Sequence, residues 1–318
     1  MLKNLLNHLP LMASLAVFVF VVAFLIGTPR VITLAESRFQ IETQNIQLSD
    51  TLKEVAGEST QPIIQIESAG IATPSVTAYG VYAFDMDLGD ELLSKNSQTR
   101  LSMASTTKIM TALVAADYYK AGQILIVPKE ALVGGSSMDL IAEEKMTFRS
   151  LLYGMMLNSG NDAAYTLAYN YPGGLDNFIA QMNQRAAIMG LKNTHFQNPA
   201  GFDNVNHYTS AYDMAQIAKV FTQDPLMAKI VATKSTTVLS IDKSQQHILN
   251  NLNKLLGIDG IVGIKTGTTE ASGENLVTLV EREGHRILIV VLNSKDRFSE
   301  TKQIVNWIFS NYSWKVSE

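Results

Sequence analysis

The strand signals of this chain fall into two groups, one before and one after a long helical stretch, and that separation limits the folds open to it. Residues 76–84 are rich in β-branched and aromatic side chains, and residues 91–95 follow a turn at Asp87-Leu88-Gly89. That is the pattern of a hairpin. Residues 261–266, 274–281 and 286–292 again read as strands, the last two joined through Glu283-Gly284. Between the groups, apolar residues recur at helical spacing over 105–119, 147–157, 162–170, 175–189 and 209–221. Thr209 or Ser210 suits the N-cap of the last of these, and an amphipathic helix is expected over 299–309. A two-stranded hairpin is marginal by itself, so the early strands must pair with the late ones. The expected class is α+β: one sheet built from both groups, with a helical insertion, in one cooperative unit.

Composition removes several functions. Charged residues make up 17% and hydrophobic residues 47%, which excludes disorder for most of the chain. The net charge of -4 argues against a dedicated nucleic-acid binder, and no nucleic-acid partner is expected. With no Cys, disulfides, thiolate-zinc sites, iron–sulfur clusters and thiol catalysis are excluded. The histidines are scattered and the H-E-x-x-H pattern is absent, so neither a metal nor a cofactor is expected. The 13 Met read as core filling.

Residues 11–27 carry no charge, and Leu9 and Pro10 extend the stretch. It lies at the low end of a transmembrane span and exceeds a usual signal-peptide core. Leu34-Ala35-Glu36 is a poor cleavage site. The expectation is an uncleaved anchor over 9–28, a short cytoplasmic tail over 1–8 and a polar stalk or linker over 29–72, with a short helix at 48–55.

Three short segments could carry chemistry. In Ser105-Thr106-Thr107-Lys108, at a helix start, the i and i+3 side chains share a face. A serine hydroxyl needs a base, and a lysine amine serves if burial and a second cation keep it neutral. Alone, the segment reads more readily as an N-cap serine and a surface lysine. Ser159-Gly160-Asn161 stands between two helices, where a hydroxyl and an amide could relay a proton and hold a carbonyl. Alone, it reads equally as an ordinary helix–turn–helix connection. Lys265-Thr266-Gly267 ends a strand, where a cation beside a hydroxyl suits a carboxylate and the glycine permits close backbone approach. Alone, it is a strand end before a turn.

Together, S-x-x-K, S-x-N and K-T-G stand in the order of the active-site serine penicillin-recognising enzymes. Residues 73–314 resemble the low-molecular-mass D-alanyl-D-alanine carboxypeptidases, the S11 serine peptidases. The likeness runs through 151–164, through Asn198-Pro199-Ala200-Gly201-Phe202 with 207–211 and Asp213, and through 263–269 with Ala271 and Gly273.

The resemblance implies a β-lactamase/transpeptidase-like fold, an antiparallel sheet flanked by helices plus a helical subdomain, with residues 73–318 as the catalytic domain. It implies Ser105 as the acylated nucleophile and Lys108 as its base, with Ser159 as a relay. Asn161 would bind the substrate's peptide carbonyl, and Lys265, Thr266 and Gly267 would hold the terminal carboxylate. The N–H groups of Ser105 and Thr268 would form the oxyanion hole. The implied partners are peptidoglycan stem peptides, with β-lactams as inhibitors and the membrane held through the N-terminal helix. The implied location is the bacterial cell membrane, single-pass, with the catalytic domain extracytoplasmic. The family commonly carries a β-rich second domain and a C-terminal amphipathic anchor, which this chain is expected to lack.

His207 is read as structural, since this chemistry needs no histidine, and Asp162 as a helix-start acid. Three rival functions share these motifs. A class A-like β-lactamase would carry an E-x-x-L-N segment after the second motif, and none stands between Asn161 and His207. A D,D-endopeptidase would differ only in the bond it cuts. A non-catalytic muropeptide or β-lactam sensor would not need the intact Ser105, Lys108, Ser159, Asn161 and Lys265.

Overall fold

Alternating side chains of the strands decide the layering. In the computed structural model, which describes residues 64–316, three strands come before the helices: β1 (Ile64–Ser68), β2 (Gly80–Asp85) and β3 (Glu91–Lys95). The middle of the chain forms α1 (Lys108–Tyr118), β4 (Ile124–Ile126), β5 (Lys145–Thr147), α2 (Phe148–Leu157), α3 (Asn161–Asn170), α4 (Gly174–Ile188), α5 (Ala211–Phe221), α6 (Pro225–Val231), β6 (Ser235–Leu239) and β7 (Gln246–Asn250). The last part is β8 (Ile261–Thr269), β9 (Gly273–Arg282), β10 (His285–Ser294), α7 (Arg297–Asn311) and β11 (Tyr312–Val316).

The main sheet has the order β3-β2-β10-β9-β8 and is antiparallel throughout. It unites early and late strands as expected, with β2 beside β10. Tyr82, Phe84, Leu288, Val290 and Val277 face the helical side. Val81, Ala83, Ile287, Ile289 and Leu276 face α7. This period-2 division buries both faces of the central strands. Ser210 caps α5 by accepting from Asp213 N at 3.1 Å.

Several boundaries differ from expectation. Residues 64–71, expected within the linker, belong to the fold. β1 pairs with β11, Ile66 facing Trp314. Ile71 N donates to Asn311 Oδ1 at 2.7 Å, and Trp307 Nε1 donates to Ile71 O at 3.1 Å. Four of the five β1 residues are exposed, so backbone pairing holds the strand and no hydrophobic alternation announces it. The helix expected over 105–119 opens with a 3-10 turn at Ala104–Thr107. The strand expected over 261–266 runs on to Thr269. The expected tail, membrane anchor, short helix at 48–55 and most of the linker lie outside the described residues. Among the described residues no helix is long and apolar enough to cross a membrane.

Candidate active site

The 3-10 turn aims Ser105. Ala104 stands at φ 47, a left-handed conformation that swings the chain sharply into the turn. Thr106 Oγ1 donates to Met103 O at 2.6 Å and Thr107 Oγ1 to Ala104 O at 2.7 Å. His207 fastens this turn from outside. Its Nδ1 accepts from Gln197 N at 2.9 Å, so Nε2 carries the hydrogen and donates to Thr107 Oγ1 at 2.7 Å. Burial, with help from His195, lowers the His207 pKa to about 4. A neutral imidazole wired this way is a brace for the nucleophile's turn.

Lys108, at the first turn of α1, has no exposed surface. Its Nζ lies 3.0 Å from Ser105 Oγ, 2.8 Å from Asn161 Oδ1 and 2.6 Å from Ala200 O. Burial and the nearby Lys265 push its pKa well below the ordinary lysine value, against the pull of Asp162. A neutral amine has two hydrogens and one lone pair. A carbonyl and an amide oxygen only accept, so Asn161 and Ala200 take both hydrogens. The lone pair is then left for the Ser105 hydroxyl, which is the arrangement of a base with its nucleophile.

Asn161 opens α3, and a loop over 134–140 fixes it. Its N donates to Ser136 O at 2.8 Å and its Nδ2 to Gly134 O at 2.9 Å. That assigns the amide orientation and turns Oδ1 toward Lys108. Asp162, expected as a helix-start acid, ties down the same loop. Its carboxylate accepts from Ser137 Oγ at 2.7 Å, Met138 N at 3.1 Å and Leu140 N at 3.1 Å. Ser159 precedes Asn161 at φ 60 and is buried. The three bonds of Lys108 go elsewhere, so the structure joins Ser105, Lys108 and Asn161 directly and leaves Ser159 beside them.

The opposite wall is β8, the edge strand of the main sheet. A Cβ on Gly267 would stand 3.1 Å from Ser105 N and 3.2 Å from Ala104 Cβ, so the glycine permits the close approach that its position suggested. Lys265 is 1% exposed, and its Nζ donates to Thr266 O at 3.1 Å. Burial, and secondarily Arg297, lower its pKa to about 7.

Arg297 is the site residue that sequence reasoning missed. It opens α7, where its Nη1 donates to Gly267 O at 2.7 Å and to the Thr268 hydroxyl. Its buried Nε has no partner among the described residues. No local motif marks it. Only the packing of the start of α7 against the β8 end brings it there. Lys265 and Arg297, with the Thr268 hydroxyl at the guanidinium, thus form a cationic corner suited to a carboxylate. Among the described residues no group of three metal-ligating side chains forms a metal site.

The buried Lys265 makes a stability prediction with a definite sign. Its folded pKa of about 7 lies below the ordinary lysine value of 10.5, so the unfolded chain binds more protons through that window. Its contribution therefore penalises folding fully below pH 7 and relaxes as pH rises to 10.5. Lys265→Met will raise the melting temperature at pH 6 by several degrees, from about 1–4 kcal/mol of relieved burial cost. The gain will vanish above pH 10.5. A scan showing a lower melting temperature at pH 6 would refute this account.

The sequence profile of the peptidase S11 family, D-alanyl-D-alanine carboxypeptidase, matches residues 67–296. A D-alanyl-D-alanine carboxypeptidase of Bacillus subtilis, DacF, is 34% identical over 238 residues, which are 72% of this chain and 61% of that protein. The chain thus spans less than two thirds of that relative's length. A D-alanyl-D-alanine carboxypeptidase of Streptomyces sp. strain K15 is 32% identical over 268 residues, 76% of this chain and 91% of its own. The crystal structure of the Streptomyces K15 DD-transpeptidase superposes with a TM-score of 0.72 at 32% identity, covering 76% of this chain and 100% of that one.

Proposed function

The chain belongs to the peptidase S11 family of D-alanyl-D-alanine carboxypeptidases, and from that premise we propose that it removes the terminal D-Ala from peptidoglycan stem peptides through an acyl-enzyme on Ser105. The observation that carries this reading is the buried Lys108 Nζ, 3.0 Å from Ser105 Oγ and bonded to Asn161 Oδ1 and Ala200 O, an arrangement that in the neutral amine leaves the lone pair for Ser105.

The substrate's C-terminal carboxylate binds Lys265, Thr266 and Arg297, and its extended backbone lies along the free edge of β8. Lys108 Nζ takes the Ser105 proton as Oγ bonds to the penultimate carbonyl carbon. The N–H groups of Ser105 and Thr268 receive the developing oxyanion, and each such donor is worth about 3 kcal/mol. The tetrahedral intermediate collapses with cleavage of the C–N bond. The leaving amine collects its proton from Lys108, directly or through Ser159. Water then adds to the ester and frees the shortened peptide. A β-lactam acylates the same serine.

The reading extends to residues 9–28 as a membrane anchor that holds this chemistry outside the cytoplasm, supported by their uncharged run. Protease added to spheroplasts should digest the domain. Protection of the domain would refute this topology.

The test of activity incubates the full chain with a pentapeptide ending in D-Ala-D-Ala and follows free D-Ala, with Ser105→Ala as control. Release that the substitution abolishes is expected. Covalent penicillin labelling of Ser105 without release would replace the reading by an endopeptidase or a sensor. Fast turnover of penicillin would replace it by a β-lactamase.

A further inference from the structure

A buried ionisable pair that the mechanism does not use lies beneath the β6–β7 hairpin. His247 and Glu144 have side chains only 4% and 2% exposed, with Nε2 and Oε1 2.7 Å apart. His247 Nδ1 lies 2.8 Å from Met138 O. A carbonyl cannot donate, so Nδ1 carries a hydrogen and donates to Met138. The other carboxylate oxygen, Glu144 Oε2, accepts from Ile141 N at 3.1 Å.

Met138 is therefore held on both peptide sides. Its N–H goes to Asp162 and its C=O to His247. Its sulfur fills the space above Gly154, where a Cβ would lie 2.0 Å away. A short distance back along the same loop, Ser136 O and Gly134 O bind Asn161, and Asn161 Oδ1 binds Lys108. Apolar side chains could fill the space under the hairpin without the desolvation cost of an ionisable pair. They would supply neither a donor for Met138 O nor an acceptor for Ile141 N.

We propose that His247 and Glu144 are positioning residues for the acylation step, clamping the 134–140 loop in the register that orients Asn161 against Lys108. The kinetic consequence rests on the function proposed above, whereas the clamp itself does not.

The test compares the full chain with His247→Phe, His247→Gln and Glu144→Gln. Two quantities are read: the second-order rate of acylation by a fluorescent penicillin, normalised to the fraction labelled, and amide exchange at 137–141. H247F should acylate about 10–100-fold more slowly, the loss expected when catalytic groups shift by a fraction of an ångström to 1 Å. Its loop amides should exchange at least tenfold faster. E144Q keeps the clamp, because its amide donates to Nε2 and its oxygen still accepts from Ile141 N, so it should stay within about twofold of wild type. H247Q retains a donor for Met138 O and should recover part of the rate. If H247F does not fold, Glu144→Ala, which frees the imidazole, replaces it with the same expectation.

A normalised H247F rate equal to wild type overturns the proposal, even if the variant melts earlier. So does an E144Q rate as low as that of H247F, because charge rather than position would then matter. If the wild type takes no penicillin label, the proposed function fails, and amide exchange alone decides the clamp. Unchanged exchange in H247F then overturns it.

Discussion

Lys108→Ala will slow acylation of Ser105 by about 10²–10⁴-fold, the range general-base catalysis contributes, while leaving the serine in place. The substitution also changes the pH profile. Acylation needs Lys108 neutral, and burial with the charge of Lys265 pushes its pKa well below the ordinary lysine value. The acid limb of kcat/KM for D-Ala release therefore falls far below the pH at which an exposed lysine would set it. Carboxylate binding needs Lys265 charged, and its pKa in the free protein is about 7. As pH rises through that value the cation is lost, KM rises, and Arg297 alone remains charged at the corner. The alkaline limb of the wild-type profile should lie near 7. The Lys265 charge helps to lower Lys108, whereas burial and Arg297 lower Lys265. Lys108→Ala should erase the acid limb and keep the alkaline one. Stopped-flow acylation and D-Ala release from pH 5 to 10 measure both. An acid limb that survives in Lys108→Ala would assign the base elsewhere.

The parts of this molecule legible in its sequence share one property: the signal is local. The β2–β3 hairpin, the helices of the middle and the β9–β10 hairpin each carry their own periodicity and turn residues. The three motifs are short: the first two fall at element boundaries where the neighbouring pattern changes, and the third lies inside β8, toward its end. Features that depend on distant contact left no such mark. β1 is held by backbone pairing to β11, and its side chains are mostly exposed. Arg297 is one arginine after a helix-capping aspartate until the sheet order brings α7 to the end of β8. The carbonyl of Ala200 is a backbone atom, and any residue there could supply it. His247 and Glu144 are 103 positions apart, and nothing around either one shows that they meet. The reading of Ser105 as part of a regular helix missed for a different reason. The 3-10 turn is imposed by what packs against it, namely Gly267 on one side and the loop after Asn198 on the other.

That second contact makes Gly201 the most sensitive position that does no chemistry. It has φ +96, and a Cβ there would stand 1.9 Å from Ala104 O, 2.2 Å from Ala104 C and 2.8 Å from Ser105 N. All three are backbone atoms of the nucleophile's own turn, so no rotamer change relieves the overlap. Gly201→Ala must either push the turn outward or pull the 198–203 loop away. The first response moves Ser105 and its N–H donor. The second withdraws Ala200 O from Lys108 and frees one amine hydrogen, so the lone pair is no longer directed at Ser105. Either displacement is of the order of 1 Å, enough to cost about 10²-fold in rate. The left-handed conformation adds about 1–3 kcal/mol of strain for a residue with a side chain. Gly201→Ala should therefore fold with a reduced melting temperature and acylate at least 10²-fold more slowly. Gly70 is the control, with φ +71 and no atom of the described residues within 4 Å of an added Cβ. Gly70→Ala carries the same kind of backbone strain without the collision, so it should lose some stability and keep the wild-type rate. Equal acylation by the two alanine variants would mean that the contact between Gly201 and Ala104 does not set the geometry of the nucleophile.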